Sequence, residues 1–238
     1  MGGKTLEFTV RAGIAEFPDL AHFRNSRRGR YATLPEILAY RAQASDVEGS
    51  IWGRKGDASV FTGYSVEMGG ILDGEPVTVI GHGKSLIISP ETIKEAKNKY
   101  SAIKFDMNAM HFPAHFLKEF MESHDYDISS YIENSKSPDF NPGPHTILLR
   151  GDEIPADGES FNYEQMRTNP LLIARAGGKA NLERFLHTAE RRYGPDNTFN
   201  HFNLVGENNE AAALFLATQG DLCLIEPAYG EHLRFLMV

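Results

Sequence analysis

FNHFNLVGENNEAAALFLATQGDLCLI, residues 199–225, carries the clearest pattern in the chain. Residues 199–205 have strand character. Residues 209–219 read as a helix, with Gly220 behind them as a stop. Residues 222–225 form a second short apolar run. Strand, helix and strand in this order predict a β-α-β unit, the usual connection between parallel strands. A similar pattern lies upstream. Residues 84–88 read as a strand, and Ser89 and Pro90 have the form of an N-cap followed by a first helical residue. Ile93, Ala96, Lys97 and Tyr100 then share one stripe, and residues 102–107 return as a strand.

Antiparallel additions surround these units. Val60, Phe61, Tyr64 and Val66 favour a strand. The turn signal Leu72-Asp73-Gly74-Glu75 leads into residues 76–80, so that these segments and residues 84–88 form a hairpin or small meander. Leu6, Phe8 and Val10 alternate with Glu7, Thr9 and Arg11 as in a half-buried strand. Residues 146–149 and 232–238 are further strands. Thr33 and Glu36 have capping-box spacing, which predicts a helix from about Leu34 to Ala44. Pro113 opens a helix with Phe116, Leu117 and Phe120 facing inward. Asn169-Pro170 starts another, which Gly177-Gly178 ends. Leu182, Phe185, Leu186, Ala189 and Tyr193 keep a helical period as far as Gly194-Pro195. The expected fold class is α/β (or α+β): a mixed sheet with β-α-β units and antiparallel additions, and helices on its faces.

Composition fits a packed body of this kind. The chain has 238 residues, 41% of them hydrophobic, and a net charge of −8, which excludes a disordered chain. Fifteen Phe and nine Tyr supply area for a core. One compact domain spanning residues 1–238 is expected. Residues 135–145 hold three prolines and are a possible internal seam. The single cysteine, Cys223, excludes an internal disulfide framework. No apolar run approaches the roughly 20 residues that span a bilayer. The N-terminal residues lack the apolar core of a secretory signal. A cytoplasmic protein with no membrane partner is the expectation.

The candidate chemistry gathers at strand ends, where ligands bind in open α/β sheets. Asp106, Asn108, His111, His115 and His201 form the candidate catalytic set, with Asn203 beside His201. An imidazole there would serve as general base or metal ligand, and Asp106 would orient it or share the metal. His111, His115 and Asp106 are the candidate ligands of a divalent metal. Two features weaken the pair of imidazoles. Pro113 disfavours helical geometry at Phe112, and the Glu of a zinc-protease motif is missing. His124, Asp125 and Asp127 read as a polar helix end. Gly81-His82-Gly83-Lys84-Ser85 ends like a phosphate-binding loop. Thr78, however, occupies the first glycine position, and a strand follows where a helix is required. A glycine-broken strand is expected instead, with His82 or Lys84 lining a cleft.

Arg24, Arg27, Arg28 and Arg30 place four arginines in seven residues, flanked by Phe23 and Tyr31. Such a loop suits an anion. Three functions follow. The first is a small hydrolase acting on an anionic small molecule through the His/Asp set. The second is a homo-oligomeric assembly subunit that docks on copies of itself through the arginine loop and the edge of residues 233–238. The third is nucleic-acid binding by the arginines, which the net acidity opposes.

Overall fold

The structure, a computed structural model, describes residues 9–13, 32–43, 60–83, 105–106, 109–111, 114–137, 139–156, 158–200, 210–219, 222–227 and 233–237. Its frame is a ten-stranded mixed sheet. Strand β1 is Thr9–Gly13, β2 is Val60–Leu72 and β3 is Glu75–His82. The short strands β4 (Phe105–Asp106), β5 (Ala109–His111) and β6 (Tyr126–Asp127) lie toward the sheet's edges. Strand β7 is His145–Arg150, and β8 (Ser160–Phe161) pairs with β9 (Phe199–Asn200) in a small separate sheet. The last strands are β10 (Glu210–Gln219), β11 (Leu222–Pro227) and β12 (Leu233–Met237). The helices are α1 (Leu34–Gln43), α2 (Ala114–Glu122), α3 (Ile128–Asn134), α4 (Tyr163–Thr168), α5 (Pro170–Arg175) and α6 (Lys179–Tyr193).

Strand β2 is the spine. It pairs with β3 across Asp73-Gly74, where both residues have positive φ, 53° and 86°. That geometry is a two-residue I′ turn, and the Asp-Gly pair is suited to it because both positions must enter the left-handed region. Strand β10 runs antiparallel along the other edge of β2, and β5 and β11 pair in turn with β10. Beyond β3 come β7 and then β6. Strand β6 is parallel to β7 with α3 between them, so the structure does contain a β-α-β unit. Strand β12 runs parallel to the start of β2 and carries β1 on its far side.

The register sorts side chains between two faces. Ser65 and Glu67 share a face with His82, Ile80, His145, Ile147 and Leu149. On that face Ile80, Ile147 and Leu149 join one core with Leu34, Ile37 and Leu38 of α1, Tyr131 of α3, and Phe185 and Leu186 of α6. Burying each such side chain contributes about 1.5–3 kcal/mol. The other face presents Val66, Met68, Val77, Val79 and Leu148, all buried. Helix α2 packs there across β2 and β3, burying Leu117 and Phe120. Helices therefore cover both faces of the sheet, as the patterning implied.

One element differs in kind from its sequence reading. Residues 209–219 carry helix-forming alanines, yet residues 210–219 are the strand β10. Pairing with β2 on one side and with β5 and β11 on the other outweighs an intrinsic preference of roughly a few tenths of a kcal/mol per residue. Gln219 pairs with Leu222 in the antiparallel register of β10 and β11, so a strand and not a helix leads to residue 222. Residues 199–225 thus do not form a β-α-β unit. Of the upstream pattern, Phe105–Asp106 is strand and pairs antiparallel with β5, while residues 84–104 lie outside the described residues.

The helix starts follow their capping signals. The Thr33 amide donates to Glu36 Oε2 at 2.8 Å, and the Glu36 amide donates to Thr33 Oγ1 at 3.4 Å. Asn169 Oδ1 accepts the Leu172 amide at 3.1 Å and caps α5, with Pro170 in its first turn. Asn169→Ala is expected to lower the unfolding free energy by about 1 kcal/mol, measured by urea denaturation. Gly177 and Gly178 turn the chain between α5 and α6. A Cβ on Gly177 would lie 2.3 Å from Pro35 Cγ, at a φ of +75°. Gly177→Ala is expected to lower the melting temperature and to cost about 1–3 kcal/mol through this overlap. No helix among the described residues is long and apolar enough to cross a membrane.

Candidate ligand-binding cleft

Where β3 ends and β7 begins, the sheet meets the first turn of α1 and the Gly177-Gly178 corner. A cleft of about 630 Å³ opens there, walled by Pro35, Glu36, His82, residues 140–145, Asn181 and Arg184. Its floor is set by a chain of hydrogen bonds with one consistent placement of protons. The Leu34 amide donates to Ser65 Oγ at 2.8 Å. His82 Nε2 lies 2.8 Å from the Ala174 carbonyl, which can only accept, so Nε2 carries the proton. His82 Nδ1 then accepts from the Ser65 hydroxyl, also at 2.8 Å. Burial, with the neighbouring His145 adding to it, lowers the His82 pKa to about 3, against the weaker opposing effect of the Ala174 bond. His82 is therefore neutral, and both of its nitrogens are engaged. It ties α1, β2, β3 and α5 together.

His145 has the opposite tautomer. Its Nδ1 lies 2.8 Å from the Gly143 carbonyl and must donate, and its Nε2 accepts from the Tyr131 hydroxyl at 3.1 Å. Burial raises the pKa of that phenol, with Tyr126 adding to the effect, which keeps the donor protonated. The His145 ring stacks on Tyr131 at 5.2 Å and stands 5.3 Å from His82. Tyr126 and Phe140 pack edge-on against Tyr131. The aromatic cluster holds residues 140–145 against α3.

Two residues along β2 from Ser65, Glu67 receives a forked pair of bonds from Arg175. Nε reaches Oε2 at 2.6 Å and Nη2 reaches Oε1 at 2.8 Å, and both side chains are fully buried. Two-point geometry compensates the loss of water from both charges. On the outer wall, Asn181 Nδ2 donates to the carbonyls of Pro35 and Ala176 at 3.0 and 2.7 Å, joining α6 to the start of α1. Two carbonyl partners fix the orientation of the amide. Its Oδ1 is buried without a partner among the described residues. A second cavity of about 390 Å³ adjoins the cleft and shares Phe140, Gly177, Asn181 and Arg184 with it.

The sequence candidates lie elsewhere or outside the described residues. Asp106 is in β4 and His111 in β5, and the pairing of Asp106 with Ala109 puts positions 106 and 111 on one face of that ribbon. His115 is in the first turn of α2. Asn108, His201, Asn203, Lys84 and the arginines Arg24, Arg27, Arg28 and Arg30 lie outside the described residues. Among the described residues no group of three or more His, Cys, Asp or Glu stands ready to hold a metal ion. His124 donates through Nδ1 to the Met121 carbonyl at 2.5 Å, and its Nε2 lies 3.1 Å from Asp127, as a polar helix end requires. Asp125 accepts the Thr146 amide at 2.8 Å and secures β7. His82 does line a cleft, as the Gly81–Ser85 reading expected. His145, Asn181 and Arg184 were not singled out by the sequence reading.

No protein-family model and no curated protein matches the sequence. Among solved structures, the chain is similar to one that describes the accommodation of massive sequence variation in Nanoarchaeota by the C-type lectin fold. The TM-score is 0.61 and the identity 17%, over 98% of this chain and 97% of that one. At this identity the likeness establishes the fold and nothing about function.

Proposed function

We propose that this protein is a recognition module that binds a small polar ligand in the cleft between α1, α6 and residues 140–145. The observation that carries this reading is the commitment of both imidazoles in the cleft wall to partners inside the protein. A general base needs a nitrogen within reach of substrate and a pKa near the working pH. His82, held near pKa 3, meets neither condition. A cleft of about 630 Å³ is in the size range of small-molecule sites. The Nanoarchaeota structure supports the same view, since a fold that accommodates massive sequence variation suits a fixed frame carrying an adaptable binding surface.

Asn141 is exposed at the cleft mouth, so Asn141→Trp obstructs the opening with little strain on the fold. A fragment mixture screened by ligand-observed NMR should give hits with the native protein that disappear with Asn141→Trp, while the two unfold at the same urea midpoint. An absence of hits, or hits that survive the substitution, contradicts the reading. A second reading keeps the hydrolysis of an anionic small molecule. It is supported by the register that sets positions 106 and 111 on one face. Turnover of a panel of phosphate and carboxylate esters, lost on His111→Ala, would favour it. Equal turnover by the variant would dismiss it.

A further inference from the structure

We infer that Arg184 is the anion-selecting residue of this cleft, receiving a carboxylate or phosphate group of the ligand on its guanidinium fork. This rests on the binding reading above and names the ligand chemistry of the same site. Arg184 lies where the two cavities join and lines both. Its Nε donates to the Ala180 carbonyl at 3.2 Å, which directs the side chain back along α6 toward the smaller cavity and leaves both Nη groups without an acceptor among the described residues. Glu183 also lines the smaller cavity, and the other charged side chains on this side of the fold have partners. Glu183 is within 3.9 Å of Lys179, Arg167 binds Glu164 and Glu190, and Arg175 binds Glu67. Arg184 is a cation at a cavity junction with no carboxylate partner among the described residues.

The neutral groups around it add donors. Ser137 Oγ accepts the Asp139 amide at 3.4 Å, so its hydroxyl proton is left to give. Asn141, at the mouth, accepts the Gly143 amide on Oδ1 at 3.4 Å, and its NH₂ has no acceptor among the described residues. Glu36, the carboxylate of the larger cavity wall, has Oε2 bonded to the amide and hydroxyl of Thr33 at 2.8 and 3.0 Å. A wall with a forked cation and spare N–H and O–H groups suits an oxyanion, and the planar fork matches carboxylate and phosphate geometry at two points.

The test is a titration of ¹⁵N-labelled protein with inorganic phosphate and, separately, with acetate, each at matched ionic strength in NaCl. The expected result is saturable shifts of the Gly177 and Asn181 amides and of the Arg184 Nε resonance. Arg184→Gln should weaken the apparent affinity more than tenfold, with the urea midpoint unchanged. Saturation by phosphate alone assigns a phosphate-bearing ligand, and saturation by acetate a carboxylate. Shifts that rise linearly with concentration, or that are the same in Arg184→Gln, overturn the inference. Fragment hits that are lost on Asn141→Trp but indifferent to Arg184→Gln refute the role of Arg184 alone. A cleft that binds nothing refutes the binding reading itself.

Discussion

Arg175→Ala is expected to lower the unfolding free energy by about 3–5 kcal/mol. The substitution removes the fork that holds Glu67 and leaves a carboxylate with no exposure to water. Folded domains have margins of only about 5–15 kcal/mol, so a large part of the stability goes with one side chain. Glu67→Ala leaves the guanidinium stranded in the same way and should cost a similar amount. The double variant Glu67→Met/Arg175→Met distinguishes a lost attraction from a stranded charge. It removes both ions and fills their volume, so it should be more stable than either alanine variant. Urea denaturation followed by far-UV circular dichroism measures all four proteins. Single substitutions costing less than about 1 kcal/mol, the ordinary range of a surface pair, would contradict the structural role assigned to the bridge.

Acid should destabilise the protein through His82. The unfolded imidazole takes up a proton near pH 6.5, but burial beside His145 delays protonation in the folded state to about pH 3. Between these values the unfolded state holds one more proton at this site. Stability from His82 is therefore complete above pH 6.5 and declines as the pH falls toward 3. The slope is about 1.4 kcal/mol per pH unit once the unfolded group is largely protonated. His82→Gln keeps a donor and an acceptor but cannot titrate. Its stability should fall less steeply between pH 6 and 4, by about that slope, in parallel urea titrations. Equal slopes would show that His82 protonates as readily folded as unfolded.

Much of the frame was readable because local signals and tertiary packing agree. Thr33 and Glu36, Asp73-Gly74, Asn169-Pro170 and Gly177-Gly178 each do in the structure what their types do in isolation. The stretch 210–219 failed where they disagree. Its alanines favour a helix locally, but the strand is decided by neighbours distant in sequence, β2 and β5.

The cleft was harder to read for the same reason. His82 could be singled out from its glycines, but its partners Ser65 and Ala174 are 17 and 92 residues away. Glu67 lies between Val66 and Met68, and Arg175 lies within an apolar helix, and neither was singled out from the sequence. Nothing local showed that these charges meet. Arg184 was not singled out from the sequence, and it gains its cavity from Ser137 and residues 140–144 beside α6.

The central claim is that both imidazoles of the cleft are locked by partners inside the protein, with His82 neutral, which makes the site one for binding. Long-range ¹H–¹⁵N correlation of the imidazole nitrogens tests it most directly, because it identifies tautomer and charge for each ring. His82 should carry its proton on Nε2 and His145 on Nδ1 at pH 7, and His82 should hold that pattern down to pH 4. A His82 signal that titrates near pH 6.5, or exchanges between tautomers, would contradict the account and return an accessible base to the cleft.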